Sequence, residues 1–117
     1  MGALRYIRKK KMIAQGGRCY YCDLPMWDDS TATLSQEHCR IKLPLKALRC
    51  TAEHLHPRSE GGGNKAGNIV AACLYCNNHR HRRKLPLSPE AHRQLVQQRM
   101  AVGKWLTPEF TSWSLRA

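Results

Sequence analysis

The chain of 117 residues has room for one compact domain around one modest hydrophobic core, so no second folded unit is expected. Lys and Arg number 20 against 8 Asp and Glu, a formal charge of +12. Self-repulsion of that size points to a polyanionic partner, nucleic acid before an anionic membrane surface. No segment approaches the roughly 18 consecutive apolar residues of a spanning helix, and the cationic stretch 4–12 leads into no apolar run of signal-peptide length. The expected setting is the cytoplasm, with no membrane.

Taken in chain order, residues 3–15 form a basic helix candidate with Leu4, Ile7 and Met12 apolar and with Gly16 and Gly17 as the stop. Cys19 and Cys22 follow at once. Residues 31–35 alternate small or apolar with polar side chains, which reads as a short strand, although their Thr and Ser content also suits a loop. Residues 49–55 read as a strand that carries Glu53 and His54 and is broken by Pro57. Gly61, Gly62, Gly63 and Gly67 give the next loop its freedom, and residues 68–72 form a second strand leading into Cys73 and Cys76. A helix is predicted over 74–84, ending before Leu85 because the residue preceding Pro86 is biased away from helix. A last helix runs from Ser88 or Glu90 to Val102, with Ser88 as cap, Pro89 at its first position, and Leu95 and Met100 apolar.

Six cysteines in a small chain form either disulfides in an oxidising compartment or thiolates on a metal in a reducing one, and spacing decides between them. Cys19 and Cys22 make one CxxC, Cys73 and Cys76 another, with 50 residues between the pairs. Two residues between cysteines let one tight turn present both sulfurs to a single ion, so the two knuckles predict one tetrahedral, structural zinc. Zinc also answers a folding problem: a chain this small and charged buries little apolar surface, and metal binding then contributes directly to folding. Cys39 and Cys50 have no partner at knuckle spacing. They read as buried thiols, with a second metal cluster including His38 as the alternative.

Polar residues able to do chemistry collect at the joints of the strand, Gly-rich loop, strand and helix between 49 and 84. On a helix, Asn77 and His81 lie four apart and share a face. With a carboxylate oxygen from Glu53 they make an oxygen, amide and imidazole set for one divalent ion that leaves positions open for a phosphate. His54 alternates to the other face of its strand and reaches the same place only if the strand bends. His81 has a second reading, as part of the basic run 78–84 that contacts phosphate without any metal. His56 and His79 read as surface or substrate-side groups, and Tyr20, Tyr21, Trp27 and Tyr75 as packing for the small core.

The ordered pattern Glu53-His54-Leu55-His56-Pro57-Arg58-Ser59, Gly61-Gly62, Asn68-Ile69-Val70 and Cys73-Leu74-Tyr75-Cys76-Asn77 resembles the signature of the HNH endonuclease family, in its four-cysteine zinc subgroup. The resemblance covers 17 to about 84. It implies a small α+β fold with a ββα-metal, treble-clef-like core held by a four-cysteine zinc and flanked here by the N- and C-terminal helices. It also implies that His54 is the general base, that Glu53, Asn77 and His81 hold the catalytic divalent ion, and that Asn68 braces the loop orienting the base. The family more often has Asp where Glu53 stands. Glu and Asn oxygens suit Mg²⁺ or Mn²⁺, and an added His81 draws in Ni²⁺ or Zn²⁺. The reaction implied is metal-dependent hydrolysis of DNA. Basic patches without a base-reading helix imply binding to duplex with weak sequence specificity. The alternative is a nucleic-acid-binding module of the same fold without cleavage.

Overall fold

The computed structural model of the protein describes residues 2–28 and 45–106. The strand read at 31–35, and Cys39 with His38, lie outside the described residues.

Helix α1 spans Gly2–Ala14. Gly16 and Gly17 end it with φ of +67° and +77°, and their N–H groups return to the carbonyls of Ile13 and Met12 at 3.0 and 2.8 Å. Both conformations are left-handed and suit glycine. The side chain of Gln15 then pairs with the backbone of Ala71, donating to its oxygen at 2.8 Å and accepting from its N–H at 3.0 Å. Together with the Tyr20 N–H, which reaches the same oxygen at 3.0 Å, this covers the sheet edge at Ala71. The Cys19 knuckle follows, turned by Asp23 at φ +63° and closed by a bond from Cys19 N–H to the Leu24 carbonyl at 2.9 Å.

Strand β1 (Cys50–His54) pairs antiparallel with β2 (Ile69–Cys73), with Cys50 opposite Cys73, Glu53 opposite Val70 and His54 opposite Ile69. Every residue of β2 is buried. Helix α2 (Leu74–His81) begins where β2 ends, with Cys73 as its N-cap and the Cys73 sulfur accepting the Cys76 N–H at 3.5 Å. It stops three residues short of the expected Lys84. Arg80 near its end is anchored to the Leu87 carbonyl at 2.9 Å, which draws the chain round before Pro86. Helix α3 (Pro89–Ala101) is capped by Ser88, whose Oγ accepts the Ala91 N–H at 3.1 Å. His92 and Val96 form its buried face, and Met100 packs at the edge. Leu95 is half-buried.

The core between these elements is poor in bulk. Its large members are Met12, Tyr21, Met26, Leu48, Val96 and Trp105, and the rest are alanines and cysteines. Tyr20, Trp27 and Tyr75 pack against its rim. The cysteines of the two knuckles lie at its centre, where a bound metal would supply cohesion that so little apolar surface does not. The result is a small α+β fold of two antiparallel strands and three helices around a four-cysteine cluster, consistent with the ββα-metal architecture. Among the described residues no helix is long and apolar enough to cross a membrane.

Candidate active site and metal centre

Cys19, Cys22, Cys73 and Cys76 are buried, and their sulfurs lie within 4.8 Å of one another, with 3.9 Å between those of Cys22 and Cys73. Bonds of about 2.3 Å to a tetrahedral zinc place sulfurs about 3.8 Å apart, so the cluster fits one zinc ion. N–H groups are aimed at the sulfurs. Those of Tyr21 and Cys73 reach Cys19 Sγ at 3.3 Å each, and the Trp105 indole reaches Cys76 Sγ at 3.3 Å. Burial alone would raise the Cys19 thiol, but hydrogen bonds from the neighbouring cysteines outweigh it and hold Cys19 well below the usual thiol range. Cys50 stands apart as a buried thiol. Burial pushes it up, and the Arg8 guanidinium opposes that rise.

Glu53, His54, Asn77 and His81 line one open cavity of about 470 Å³. The strand end brings Glu53 and His54 to the same space although they alternate along β1, and α2 supplies the other two from its facing side. Arg58, Arg83 and Lys84, all exposed, complete a cationic rim.

The Glu53 side chain is 1% exposed and its two oxygens are used differently. Oε2 accepts from the Tyr21 hydroxyl and from Arg80, both at 2.8 Å. Oε1 faces His81 Nε2 at 2.9 Å. Asn77 Nδ2 turns to β1, donating to Thr51 Oγ1 at 2.9 Å and to the Ala52 carbonyl at 3.4 Å. Its Oδ1 is thereby left as the acceptor not engaged by any donor among the described residues. Two oxygens and an imidazole nitrogen at one cavity are a donor set for a hard or borderline divalent ion. The 2.9 Å between Glu53 Oε1 and His81 Nε2 suits neighbouring ligands of an octahedral ion with bonds of about 2.0–2.1 Å. The residues therefore fit such an ion.

His54 Nε2 lies 2.7 Å from Asn64 Oδ1. An amide oxygen only accepts, so Nε2 carries a proton, and in the neutral ring Nδ1 then keeps the lone pair. Asn68 does not line the cavity. Its side chain accepts the His56 N–H at 2.8 Å and donates to the carbonyls of His56 at 3.1 Å and Gly63 at 2.9 Å, clasping the loop from both ends.

The HNH endonuclease family model matches residues 37–83. The match covers less than half of the chain, and over that segment the chain is similar to the HNH endonuclease family. No curated protein and no solved structure matches the chain significantly. The matched HNH segment takes in β1, the glycine-rich loop, β2, the second knuckle and α2, and the first knuckle, which completes the thiolate cluster, precedes it. HNH domains act on nucleic acids, and the match suggests a nuclease or nucleic-acid-binding function.

Three residues that bear on the candidate site do not stand out in the sequence. Arg80 looks there like part of a solvated basic run, yet it is 2% exposed and bonds to Glu53, to the His54 carbonyl at 2.9 Å and to the Leu55 carbonyl at 2.9 Å. The available signal is spacing: Arg80 lies four residues after Cys76, on the buried face of α2. Tyr21 fills the core as expected, but its hydroxyl also reaches Glu53. Burial raises the Tyr21 phenol far above its ordinary value, with the Glu53 charge adding to the rise, so it stays a donor. Asn64, inside a polar loop, carries no signal at all. Of the remaining histidines, His56 is exposed and bonds the Glu60 carbonyl at 2.7 Å. His79 is half-buried. It stacks on Tyr75 and Trp105 with ring centroids 4.1 and 5.0 Å away, and burial lowers its pKa.

Proposed function

We propose that the protein is a metal-dependent endonuclease that hydrolyses phosphodiester bonds of DNA, with His54 as the general base. The observation that carries this reading is the convergence of Glu53, His54, Asn77 and His81 on one cavity rimmed by Arg58, Arg83 and Lys84. His54 Nδ1 takes a proton from water, and the water oxygen attacks phosphorus as the bond to the leaving oxygen breaks. Solvent returns a proton to the departing alkoxide. The rim arginines and Lys84 balance charge on the non-bridging oxygens. Asn64 holds the imidazole in the tautomer that this step needs, and Asn68 holds the loop that carries Asn64 against the sheet.

Glu53, Asn77 and His81 would hold the catalytic ion, Mg²⁺ or Mn²⁺ with Ni²⁺ or Zn²⁺ as competitors. When bound, that ion supplies electrophilic stabilisation of the phosphate and of the leaving oxygen. Arg80 and Tyr21 take up the second oxygen of Glu53 and leave one to face the cavity, which accommodates Glu where the family more often has Asp. The cationic surface supports duplex DNA as substrate with weak sequence specificity, since contacts to phosphate position a duplex without reading it. The thiolate cluster, filled by one structural zinc, requires a reducing compartment, here the cytoplasm.

A second reading, a binding module without cleavage, is favoured by one observation: both oxygens of Glu53 already have hydrogen-bond partners. Incubation with supercoiled plasmid and Mg²⁺, Mn²⁺ or Ni²⁺ separates the two. Nicked or linear product with at least one of these ions is expected. Retention of plasmid with no product under any of them would establish the binding module instead.

A further inference from the structure

A second cavity, of about 580 Å³, opens beside the first. Arg5 and Arg8 of α1 form one wall and Arg49 stands at the entry to β1. Ala52, His54 and Arg58 are shared with the first cavity, so the two are halves of one trough, and the proposed general base lies at their junction.

The charges in this second half are uneven. Among the described residues Asp28 is the acidic one lining it, and Arg8 pairs with that carboxylate at 3.2 Å. Arg5, Arg49 and Arg58 are exposed, and among the described residues none is ion-paired. Three like charges converging on one concave surface repel each other and favour a polyanion that runs past all three. Guanidinium groups suit phosphate because their planar N–H pairs match its oxygens. On the opposite side of His54, Arg83 and Lys84 line the first half of the trough. Cationic side chains therefore flank the proposed scissile position from both directions.

We propose that this α1 trough holds the sugar-phosphate backbone of the DNA strand on one side of the scissile phosphate, with Arg5 and Arg49 as its phosphate contacts and Arg58 at the junction. The proposal rests on the endonuclease reading for the location of the cut and adds the path of the strand. Helix α1 precedes the matched HNH segment, so the contribution of Arg5 is an addition to that segment. Arg8, held by Asp28 and beside Cys50, fixes the wall of α1 against β1.

The test is binding of a short fluorescent DNA duplex to the zinc-loaded protein, without added divalent ion, over a series of salt concentrations. Binding is read by anisotropy for wild type, Arg5→Ala, Arg49→Ala, Arg5→Lys and Lys104→Ala. Each phosphate contact contributes about 0.9 to the slope of log affinity against log salt. Arg5→Ala and Arg49→Ala are each expected to lower the slope by about 0.9. Arg5→Lys, which keeps the charge, and Lys104→Ala, which removes one outside the trough, are expected to keep it. Unchanged slopes for both arginine-to-alanine variants, or an equal fall for Lys104→Ala, would overturn the trough. No cleavage occurs under these conditions, so failure here leaves the endonuclease reading standing. Absence of plasmid cleavage by wild type, with the slopes as expected, rejects the endonuclease and keeps the phosphate-binding trough.

Discussion

The hydroxyl of Tyr21, inside the first knuckle between Cys19 and Cys22, donates to Glu53 Oε2 at 2.8 Å in the wall of the candidate active-site cavity. The thiolate cluster and the candidate active site are thus parts of one rigid unit. If the cluster holds zinc, its loss is expected to free the turn that carries Tyr21 and to cost Glu53 a donor.

Tyr21→Phe removes that one bond while keeping the ring in the core. A hydrogen bond to a charged group contributes about 1.5–3 kcal/mol, and a loss of that order is expected in urea denaturation, with zinc content unchanged. Calorimetry of Mn²⁺ binding is expected to weaken in parallel, because Glu53 is less well held. Unchanged Mn²⁺ affinity at reduced stability would confine Tyr21 to packing.

Arg80 and Glu53 form a buried pair, exposed by only 2% and 1%. Breaking such a pair leaves an uncompensated charge in a low-dielectric setting and costs about 3–5 kcal/mol. Arg80→Met is expected to destabilise the fold by this amount. The double variant with Glu53→Gln is expected to recover part of it, so that the two losses are not additive. Strict additivity in a denaturation cycle would show that the two side chains do not act together.

Gly62 has a specific reason to be glycine. A Cβ there would meet the His56 carbonyl oxygen at 1.8 Å and its carbon at 2.6 Å. The loop that Asn68 clasps has to shift to admit it. Gly62→Ala is expected to cost about 1–3 kcal/mol, the range for forcing a methyl group into packed structure, and to reduce cleavage more than Gly63→Ala. At Gly63 an added Cβ meets nothing within 4 Å. Equal effects at the two positions would contradict the close approach.

The knuckles are readable from sequence because a CxxC is a local pattern whose geometry depends on a single turn. Both strands are readable as well, since Gly and Pro bound them and Glu53 and His54 close the first. The meeting of Asn77 and His81 follows from helical spacing alone. What the sequence hides is long-range. Arg80 looks like its neighbours Arg82 and Arg83 until a buried carboxylate 27 residues away draws it inward, and the Tyr21 contact to Glu53 spans 32 residues. The place of His92 on the inward face of α3 is hidden for a related reason. Leu95 is the more apolar choice, but the aromatic cluster of Tyr21 and Trp105 selects His92, whose ring centroid lies 4.6 Å from that of Tyr21.

Zinc assays are expected to find about one tightly held ion per chain by the four-thiolate logic. Stripping it with a strong chelator, or replacing one ligand as in Cys76→Ser, is expected to unfold or aggregate a core this thin. A soluble, folded, zinc-free Cys76→Ser protein would refute the structural role of the ion.

The central claim concerns His54. Its most direct test compares wild type and His54→Ala on supercoiled plasmid with the best-supporting ion, both proteins matched for zinc content and circular dichroism. General acid–base catalysis contributes about 10²–10⁴-fold, and a fall in nicking rate of that size is predicted for His54→Ala. Equal nicking by the two folded proteins would contradict the assignment of His54 as the base.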